Sequence, residues 1–465
     1  MSIKTRFRKA LLAGAAAAAL AAAPLAAMAE TLADAMASAY RTSGLLEQNR
    51  ATLRATDEGV AQALAAMRPS FSYNLEGGKS FVGNSVYEDW SSTLSFVASM
   101  ELFTFGRNRL NIDLQKEVVL ATRASLVNVE QQVLATAVSA YMDVREAQAL
   151  VNLRDSAVRL NEENLGAARD RFDVGEITRT EVSAYEAQLA SVRANLAAAR
   201  GDLSAARERY RVAIGHYPTD LSSPPAIALP ARSLEDAVQT AHQRHPAIIA
   251  LQHQAAAQDL AVEIAERNML PTLEGSLRHG YDPEDFDFDD STTSLSVGLS
   301  GPIYQGGTIA SVVRETIANR DASRAELLQT SREVEQAVRT NWALLTVYAA
   351  SEEASDAYVR AQRIAYEGVR EEADLGASTT LDVLDAEQDL LDAQVSAIQA
   401  RIARETQIYA VLQSLGLLTV EQLNLNVPVY DPSAYYNAVK NAPLRRVSPQ
   451  GEKLDRVLEG LLRGE

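Results

Sequence analysis

Helical segments of this chain carry apolar residues at alternating spacings of three and four positions, a pattern typical of coiled coils. In segment 181–214 a first seam of such positions is formed by Val182, Tyr185, Leu189, Val192, Leu196, Ala199, Leu203, Ala206 and Tyr210. A second seam on another face of the same segment consists of the small residues Ala187, Ala190, Ala194, Ala197, Gly201 and Ser204. At about 103° per residue the two seams point about 150° apart, which predicts a wall of about a dozen helices. A chance pattern in alanine-rich sequence is the alternative.

Two proline-free segments, 107–172 and 308–373, are predicted to be helices about 100 Å long, at about 1.5 Å per residue. Helices of that length need coiled-coil support. Each is followed by a glycine-bearing elbow and a shorter returning helix, so two long hairpins are predicted, over 107–215 and 307–416. The second returning helix repeats the first seam, with interruptions at Gln388 and Glu405, through Leu381, Leu384, Leu391, Val395, Ile398, Ile402, Tyr409 and Leu412.

Period-two alternation of apolar and polar residues follows Pro69 and Pro271 and predicts four short strands. The predicted strands cover about 70–77, 92–102, 272–280 and 292–301. Polar loops are predicted at 77–91, which contains glycines, and at 281–291. A soluble sandwich is the alternative, but four strands are too few to cover two faces. Four strands also cannot close a membrane barrel, for which about eight are needed. Several chains are therefore expected to contribute strands to one barrel.

The chain also shows an internal duplication, because matching residues recur at one constant offset. The pairs are Leu32 and Leu234, Ala35 and Ala237, Ala39 and Ala241, and Pro69 and Pro271. The expected organisation is a first structural repeat over 30–232, a second over 233–416 and a C-terminal tail over 417–465. The end of the tail, 441–465, is polar and has a helical pattern at Leu454–Leu462.

Residues 1–29 have the features of a secretory signal peptide, with a basic start, an apolar run and an Ala-x-Ala ending at Ala29. An uncleaved membrane anchor is the alternative. No later run of eighteen apolar residues occurs, so any membrane crossing is predicted to use strands. A net charge of −17 argues against nucleic acid as a partner. The absence of Cys excludes disulfides, thiolate metal sites and a Cys nucleophile.

Other candidate chemistry is sparse. Asp285, Asp287 and Asp289 alternate like the start of a calcium loop, but the central Gly and the distal Glu of such a loop are missing, so a solvated loop is favoured. Three histidines share one segment, and of these only His242 and His245 have a spacing that suits a metal. No catalytic motif occurs, so we predict neither an enzyme nor a cofactor nor a resident metal.

The two elbows share the pattern Gly-x-x-Thr-x-x-acid-Val. It is formed by Gly175, Thr178, Glu181 and Val182, and again by Gly376, Thr379, Asp382 and Val383. Together with the signal peptide and the duplicated unit, this pattern resembles the TolC family of outer-membrane channel proteins over most of residues 30–440. The tail segment 427–440 is similar to that of the branch serving type I secretion. The resemblance implies a mainly α-helical protein with membrane β-strands, whose homotrimer forms a helical tube, or α-barrel, and a twelve-stranded β-barrel.

By the same resemblance the elbows form the periplasmic aperture and dock a periplasmic adaptor. The expected aperture residues are Val174, Gly175, Thr178, Glu181, Leu375, Gly376, Thr379, Asp382 and Asp385. Asp382 and Asp385 would form acidic rings that favour cations at the constriction; the alternative is an exposed polar face with acids complementing the helix dipole. Ser378 and Ala373 depart from the family's best-known lock between hairpins, which has Arg and Tyr there, although the first elbow carries Arg179.

The function predicted is a trimeric exit duct of the outer membrane and periplasm, gated at the elbows. Its partners would be outer-membrane lipid, a periplasmic adaptor and an inner-membrane ABC or proton-driven transporter. The tail favours type I protein secretion as the task, with drug efflux through the same duct as a second task. The alternatives are a periplasmic adaptor, which should show one hairpin and a lipoyl-like β domain, and a structural coiled-coil protein of the envelope.

Overall fold

The computed structural model of the chain describes residues 29–82, 85–225, 227, 229–281, 291–444 and 456. Apart from Ala29, the predicted signal peptide lies outside these residues. The three alternating aspartates of the 281–291 loop and most of segment 441–465 also lie outside them.

Nine helices and four strands make up the regular structure of the described residues. The helices are α1 Leu32–Thr42, α2 Gly44–Ala65, α3 Arg107–Asp173, α4 Arg179–Ile214, α5 Leu234–Arg244, α6 Pro246–Arg267, α7 Thr308–Asp374, α8 Thr380–Ser414 and α9 Ala434–Val439. The strands are β1 Ser70–Val82, β2 Ser85–Phe103, β3 Thr272–Tyr281 and β4 Ser291–Ser300. No helix in the described part of the chain combines the length and the apolar character that crossing a bilayer requires.

The element order shows the duplication directly. The series α1, α2, β1, β2, α3, α4 recurs as α5, α6, β3, β4, α7, α8. The long helices α3 and α7 both have 67 residues, and the returning helices α4 and α8 have 36 and 35. The mainly α-helical fold with a duplicated unit is therefore confirmed.

Local signals at the helix ends divide each short helical stretch into two. Ser43 interrupts the first stretch, and its hydroxyl accepts a hydrogen bond from the Leu46 N–H at 3.3 Å. In the second repeat His245 takes this place, followed by Pro246 at the first position of α6, where a missing N–H costs nothing.

The four strands form one antiparallel sheet in the order β1–β2–β3–β4. Across the sheet Tyr73 pairs with Phe96, Phe96 with His279, and His279 with Thr293. The prediction of a loop over 77–91 is wrong, because β1 runs to Val82 and β2 starts at Ser85. Ladder hydrogen bonds use backbone groups, so strand pairing continues where the side chains no longer alternate in polarity.

Large apolar side chains project from the sheet without cover. In β1, Phe71 is 82% exposed, and Tyr73 and Leu75 are similarly open. In β4, Leu295 and Leu299 are exposed as well. An exposed apolar row on a sheet indicates a surface that meets lipid or another protein.

The chain divides into two compact units. Of the described residues, the first comprises those up to Ser38, Ala137–Ile227 and Tyr358–Ile402, and the second comprises Ala39–Thr136, Ala228–Ala357 and those from Ala403 onward. Each has its own core.

In the first unit, the first seam of α4 is the face that the helix buries. Leu189, Val192 and Leu196 pack with Val158 and Leu165 of α3. Further along α4, the seam positions Leu203, Ala206 and Tyr210 are buried too, whereas all six positions of the second seam are exposed. In α8, Leu384 and Leu391 are buried, but the predicted seam member Leu381 is 61% exposed. Leu381 lies in the first turn of α8, directly after the elbow, beyond the buried part of the helix.

In the second unit, α2 buries Leu46, Leu53 and Val60 together with one charged side chain, Asp57. Neither carboxyl oxygen of Asp57 has a hydrogen-bond partner. Burial raises the pKa of Asp57 to about 7; the charge of Arg123 opposes this rise and the charge of Glu58 adds to it. The helical core thus holds an acid that titrates close to neutral pH.

Candidate functional site

Both elbows end their long helix in the same way. Gly175 and Gly376 have left-handed backbones, with φ of +81° and +80°. In the first elbow the Glu176 N–H donates to the Arg171 carbonyl at 2.9 Å, and in the second the equivalent N–H, of Ala377, donates over 2.8 Å. These bonds are those of the Schellman motif, in which glycine allows the chain to leave the helix while its last carbonyls stay paired. The glycines of the predicted pattern are therefore helix stops.

The threonine and the acid of the pattern start the returning helices. The Thr178 N–H donates to the Glu181 carboxylate at 2.7 Å, and the Glu181 N–H donates to the Thr178 hydroxyl at 3.3 Å. Thr379 and Asp382 make the same reciprocal pair, at 2.8 and 3.3 Å. Each pair is a capping box, which satisfies two N–H groups at a helix start.

These caps also fix the charge of the two acids. Hydrogen bonds from the Thr379 hydroxyl and backbone lower the pKa of Asp382. Backbone and hydroxyl hydrogen bonds from Thr178 likewise lower the pKa of Glu181. The site therefore carries ionised carboxylates, which can attract cations.

The structure brings the elbows of the two hairpins together within the first unit. The Thr380 hydroxyl, at the start of α8, donates to the Glu181 carboxylate at 3.1 Å. Arg171 and Asp374 form an ion pair at 3.3 Å, with both side chains more than half exposed. Exposed pairs of this kind contribute about 0–1 kcal/mol, so this contact adds little to the stability of the elbows.

The remaining predicted aperture residues are open to solvent. Val174 and Leu375 are 72% and 86% exposed at the tips of the elbows, and Asp385 is exposed on α8. Ser378 does not reach the other hairpin; its hydroxyl donates to Glu372 of its own hairpin at 2.8 Å. Two exposed apolar residues at adjacent tips make a surface suited to contact with another protein.

Sequence reasoning missed a buried polar cluster near the elbows. Glu387 of α8 is among the fully buried side chains and accepts hydrogen bonds from the side-chain amides of Asn161 and Asn164 on α3. The only signal in the sequence is that these asparagines are three residues apart, and so share a helix face. The seam analysis placed its polar interruption at the neighbouring Gln388 instead.

The histidines do not converge. His242 faces Glu335 at 3.8 Å, His253 contacts Glu117 at 2.8 Å, and the His245 ring nitrogen accepts from the Ala247 N–H. Within the described residues, no group of three or more His, Cys, Asp or Glu side chains is arranged to hold a metal ion.

Comparisons with known proteins identify the family. The family model described as outer membrane efflux protein matches residues 35–216 and 237–417. The outer membrane efflux protein BepC of Brucella suis biovar 1 (strain 1330) is 34% identical over 427 residues, covering 91% of this chain and 93% of BepC. Outer membrane protein TolC of Salmonella enteritidis is 23% identical over 418 residues, covering 85% and 84% of the two chains. The Campylobacter jejuni CmeC outer membrane channel shares the fold, with a TM-score of 0.75 at 17% identity, over 89% of this chain and 90% of CmeC.

These matches run through both structural repeats and both elbows, and they favour a channel over a periplasmic adaptor. The family is one of channel proteins and not of enzymes. The predicted resemblance, outer-membrane location and exit-duct function are confirmed at this level. The chain belongs to the outer membrane efflux protein family and is a channel protein of the outer membrane.

Proposed function

We propose that three copies of this chain close around one bore, with twelve strands forming a barrel in the outer membrane and twelve helices forming a tube in the periplasm. The elbows form the periplasmic end of the tube and its gate. A periplasmic adaptor docks on the elbows, and an inner-membrane ABC or proton-driven transporter supplies the energy and loads the cargo.

The observation that carries this proposal is the exposed second seam of α4. Its residues Ala187, Ala190, Ala194, Ala197, Gly201 and Ser204 keep heptad spacing for six positions, yet all are exposed in the single chain. The first seam of the same helix, at the same spacing, is buried. Small residues at heptad spacing allow close approach of a second helix. A helix of another copy is the neighbour that fits this face.

The sheet supports the same assembly. β1 and β4 are its outer strands, and each has a partner strand on one side only within the described chain. Unpaired edges are not tolerated in lipid, where backbone groups must be satisfied by hydrogen bonds. Pairing β1 of one copy with β4 of the next satisfies both edges, and three copies of four strands close at twelve.

The elbows support a gate and a docking site. Their tips expose Val174 and Leu375 next to ionised Glu181 and Asp382, so an adaptor would meet an apolar contact ringed by negative charge. Asp385, one turn beyond Asp382 on α8, extends the negative face along the helix. Three copies of this face around an axis would concentrate cations at the constriction.

Two classes of cargo are compatible with this duct, small molecules and secreted proteins. BepC is an efflux protein, which supports small molecules as cargo, while the resemblance of tail segment 427–440 supports type I protein secretion. One duct serves both tasks if the adaptor and the transporter select the cargo. Comparing drug sensitivity and secreted proteins in a strain lacking the gene separates the two.

A substitution on the second seam tests the assembly. Ala194→Arg places a long charged side chain where close helix contact is proposed, and it should lower the fraction of trimer in outer-membrane extracts. Ala198→Arg is the matched control, because Ala198 is exposed on the same helix but lies on neither seam. Equal trimer bands on unheated gels for both variants would refute the proposed contact.

A further inference from the structure

A buried carboxyl group joins the two hairpins two helical turns beyond the second elbow. Glu387 lies on α8 of the second hairpin, and the amides that donate to it lie on α3 of the first hairpin. The Asn164 amide donates at 3.3 Å, and the Asn161 amide donates to both Glu387 and the Ala157 carbonyl. Separating α8 from α3 would therefore break these bonds and expose the acid.

The neighbours of Glu387 do not neutralise it. Tyr185 of α4 and Tyr366 of α7 lie near it: burial raises the pKa of both tyrosines, and the charge of Glu387 raises it further. Arg370 lies beside Tyr366. Among the described residues no Lys, Arg or His forms an ion pair with Glu387. Burial raises the pKa of Glu387, and the hydrogen bond from Asn161 only partly opposes this rise.

The same cluster has an acceptor without a donor. The Asn161 side-chain oxygen is buried and has no hydrogen-bond partner. A protonated Glu387 carries an O–H that could satisfy an amide oxygen after a small rotation of the amide, whereas an ionised Glu387 can only accept. Both the missing cation and the missing donor favour the protonated acid in the packed arrangement.

We propose that Glu387 is a positioning residue of the duct: when protonated it holds the second hairpin against the first near the elbows, and its ionisation favours their separation. This inference rests on the proposed function in one respect, that the elbows move to open the bore. It differs from the exposed Arg171–Asp374 pair and from the partly buried Thr380–Glu181 hydrogen bond, because Glu387 is fully buried and becomes hydrated only when the helices part.

The direction of the pH dependence follows from linkage. The packed hairpins bind the proton of Glu387 more tightly than separated hairpins, in which the carboxyl meets water and regains its ordinary pKa of 4.5. Packing is therefore strongest below that value and weakens as the pH rises from there through the raised pKa. The duct should open more readily at neutral than at acidic pH.

Single-channel recording tests this inference with purified protein in planar bilayers. We expect the open fraction of the wild type to rise several-fold between about pH 5 and about pH 8. Glu387→Gln, which mimics the protonated acid, should stay at the low value throughout. The matched control Asp389→Asn removes an exposed acid two residues away on α8 and should keep the wild-type profile. Asn161→Asp places a second carboxyl beside Glu387 and should move the transition to higher pH, because like charges disfavour ionisation.

A distance measurement separates this inference from the proposed function. The chain has no Cys, so Val174→Cys with Leu375→Cys places one spin label on each exposed elbow tip. In trimers diluted with unlabelled chains, we expect the label distance to grow with pH in the wild type and not in Glu387→Gln. If the label distance follows pH as expected while no conductance is seen, the proposed duct function is wrong and the inference about Glu387 stands. If Glu387→Gln keeps the pH response, or the wild type shows none in either measurement, the inference is wrong.

Discussion

At the scale of residues, the surroundings of each acid decide its charge and its role. Asp382 lies on the surface, and its carboxylate accepts two hydrogen bonds from Thr379, one from the hydroxyl and one from the backbone N–H, which keep it ionised at the start of a helix. Asp57 is fully buried without a hydrogen bond, and it takes up a proton near neutral pH. The two acids have the same chemistry, so the opposite shifts of their pKa values come from the fold alone.

Asp57 makes the second unit less stable as the pH rises. Its pKa is raised from 3.8 to about 7, so folded protein binds the proton more tightly than unfolded protein between those values. The wild type should lose unfolding free energy across this range, at most about 1.4 kcal/mol per pH unit. Asp57→Asn should flatten the dependence and be more stable than the wild type at about pH 8. Thermal unfolding between about pH 4 and about pH 8 measures this, with exposed Asp202→Asn as the control. A parallel decline in Asp57→Asn would contradict the assignment.

Removing the elbow acids should change the bore without changing the assembly. Asp382→Asn combined with Asp385→Asn removes two exposed charges from each chain. We expect trimers of normal yield and weaker block of the pore by multivalent cations, because fewer carboxylates meet in the constriction. Planar-bilayer recordings with a trivalent cation measure the block. Unchanged block would leave Asp382 only the role of a helix cap.

Residue-level features were the hardest to predict. The pattern identified Thr178 and Glu181 as an elbow signature, because capping depends on local spacing. It could not identify Glu387, whose burial depends on packing against Asn161, a residue 226 positions earlier in the chain. It also placed Leu381 in a buried seam, although the end of a hairpin offers fewer neighbours than its middle.

At the scale of elements, two glycines determine where the long helices stop. Gly376→Ala should destabilise the second elbow by about 1 kcal/mol, because an L-residue at positive φ is strained. Gly368→Ala, eight residues earlier within α7, should instead stabilise the helix by about 0.5–1 kcal/mol, because the added methyl group meets open space and alanine favours helix. Amide hydrogen exchange at the end of α7 measures both changes. Changes of equal sign would contradict the role given to Gly376.

The elements themselves were largely readable from the sequence. Heptad spacing and the absence of proline predicted α3 and α7, and the observed helices extend each prediction by one residue. The first hairpin of strands was underestimated, because Gly77, Gly78 and Lys79 read as a loop but continue the ladder. Side-chain polarity predicts which face a strand buries, whereas its length depends on backbone pairing that the pattern does not encode.

At the scale of the whole molecule, three surfaces lack a partner within the part of a single chain that the structure describes. These are the second seam of α4, the outer edges of β1 and β4, and the apolar tips of the elbows. In the proposed assembly, a closed ring of copies covers the first two surfaces, and a periplasmic adaptor covers the third. Duplication explains how one chain supplies two similar hairpins and four strands, so that few copies suffice to close the wall.

The number of chains in the native particle tests this account most directly. Native mass spectrometry of the detergent-purified, processed protein should give three times the mass of one chain, with the Ala194→Arg variant shifted towards one. A wild-type particle with the mass of a single chain, stable and dispersed without detergent, would contradict it.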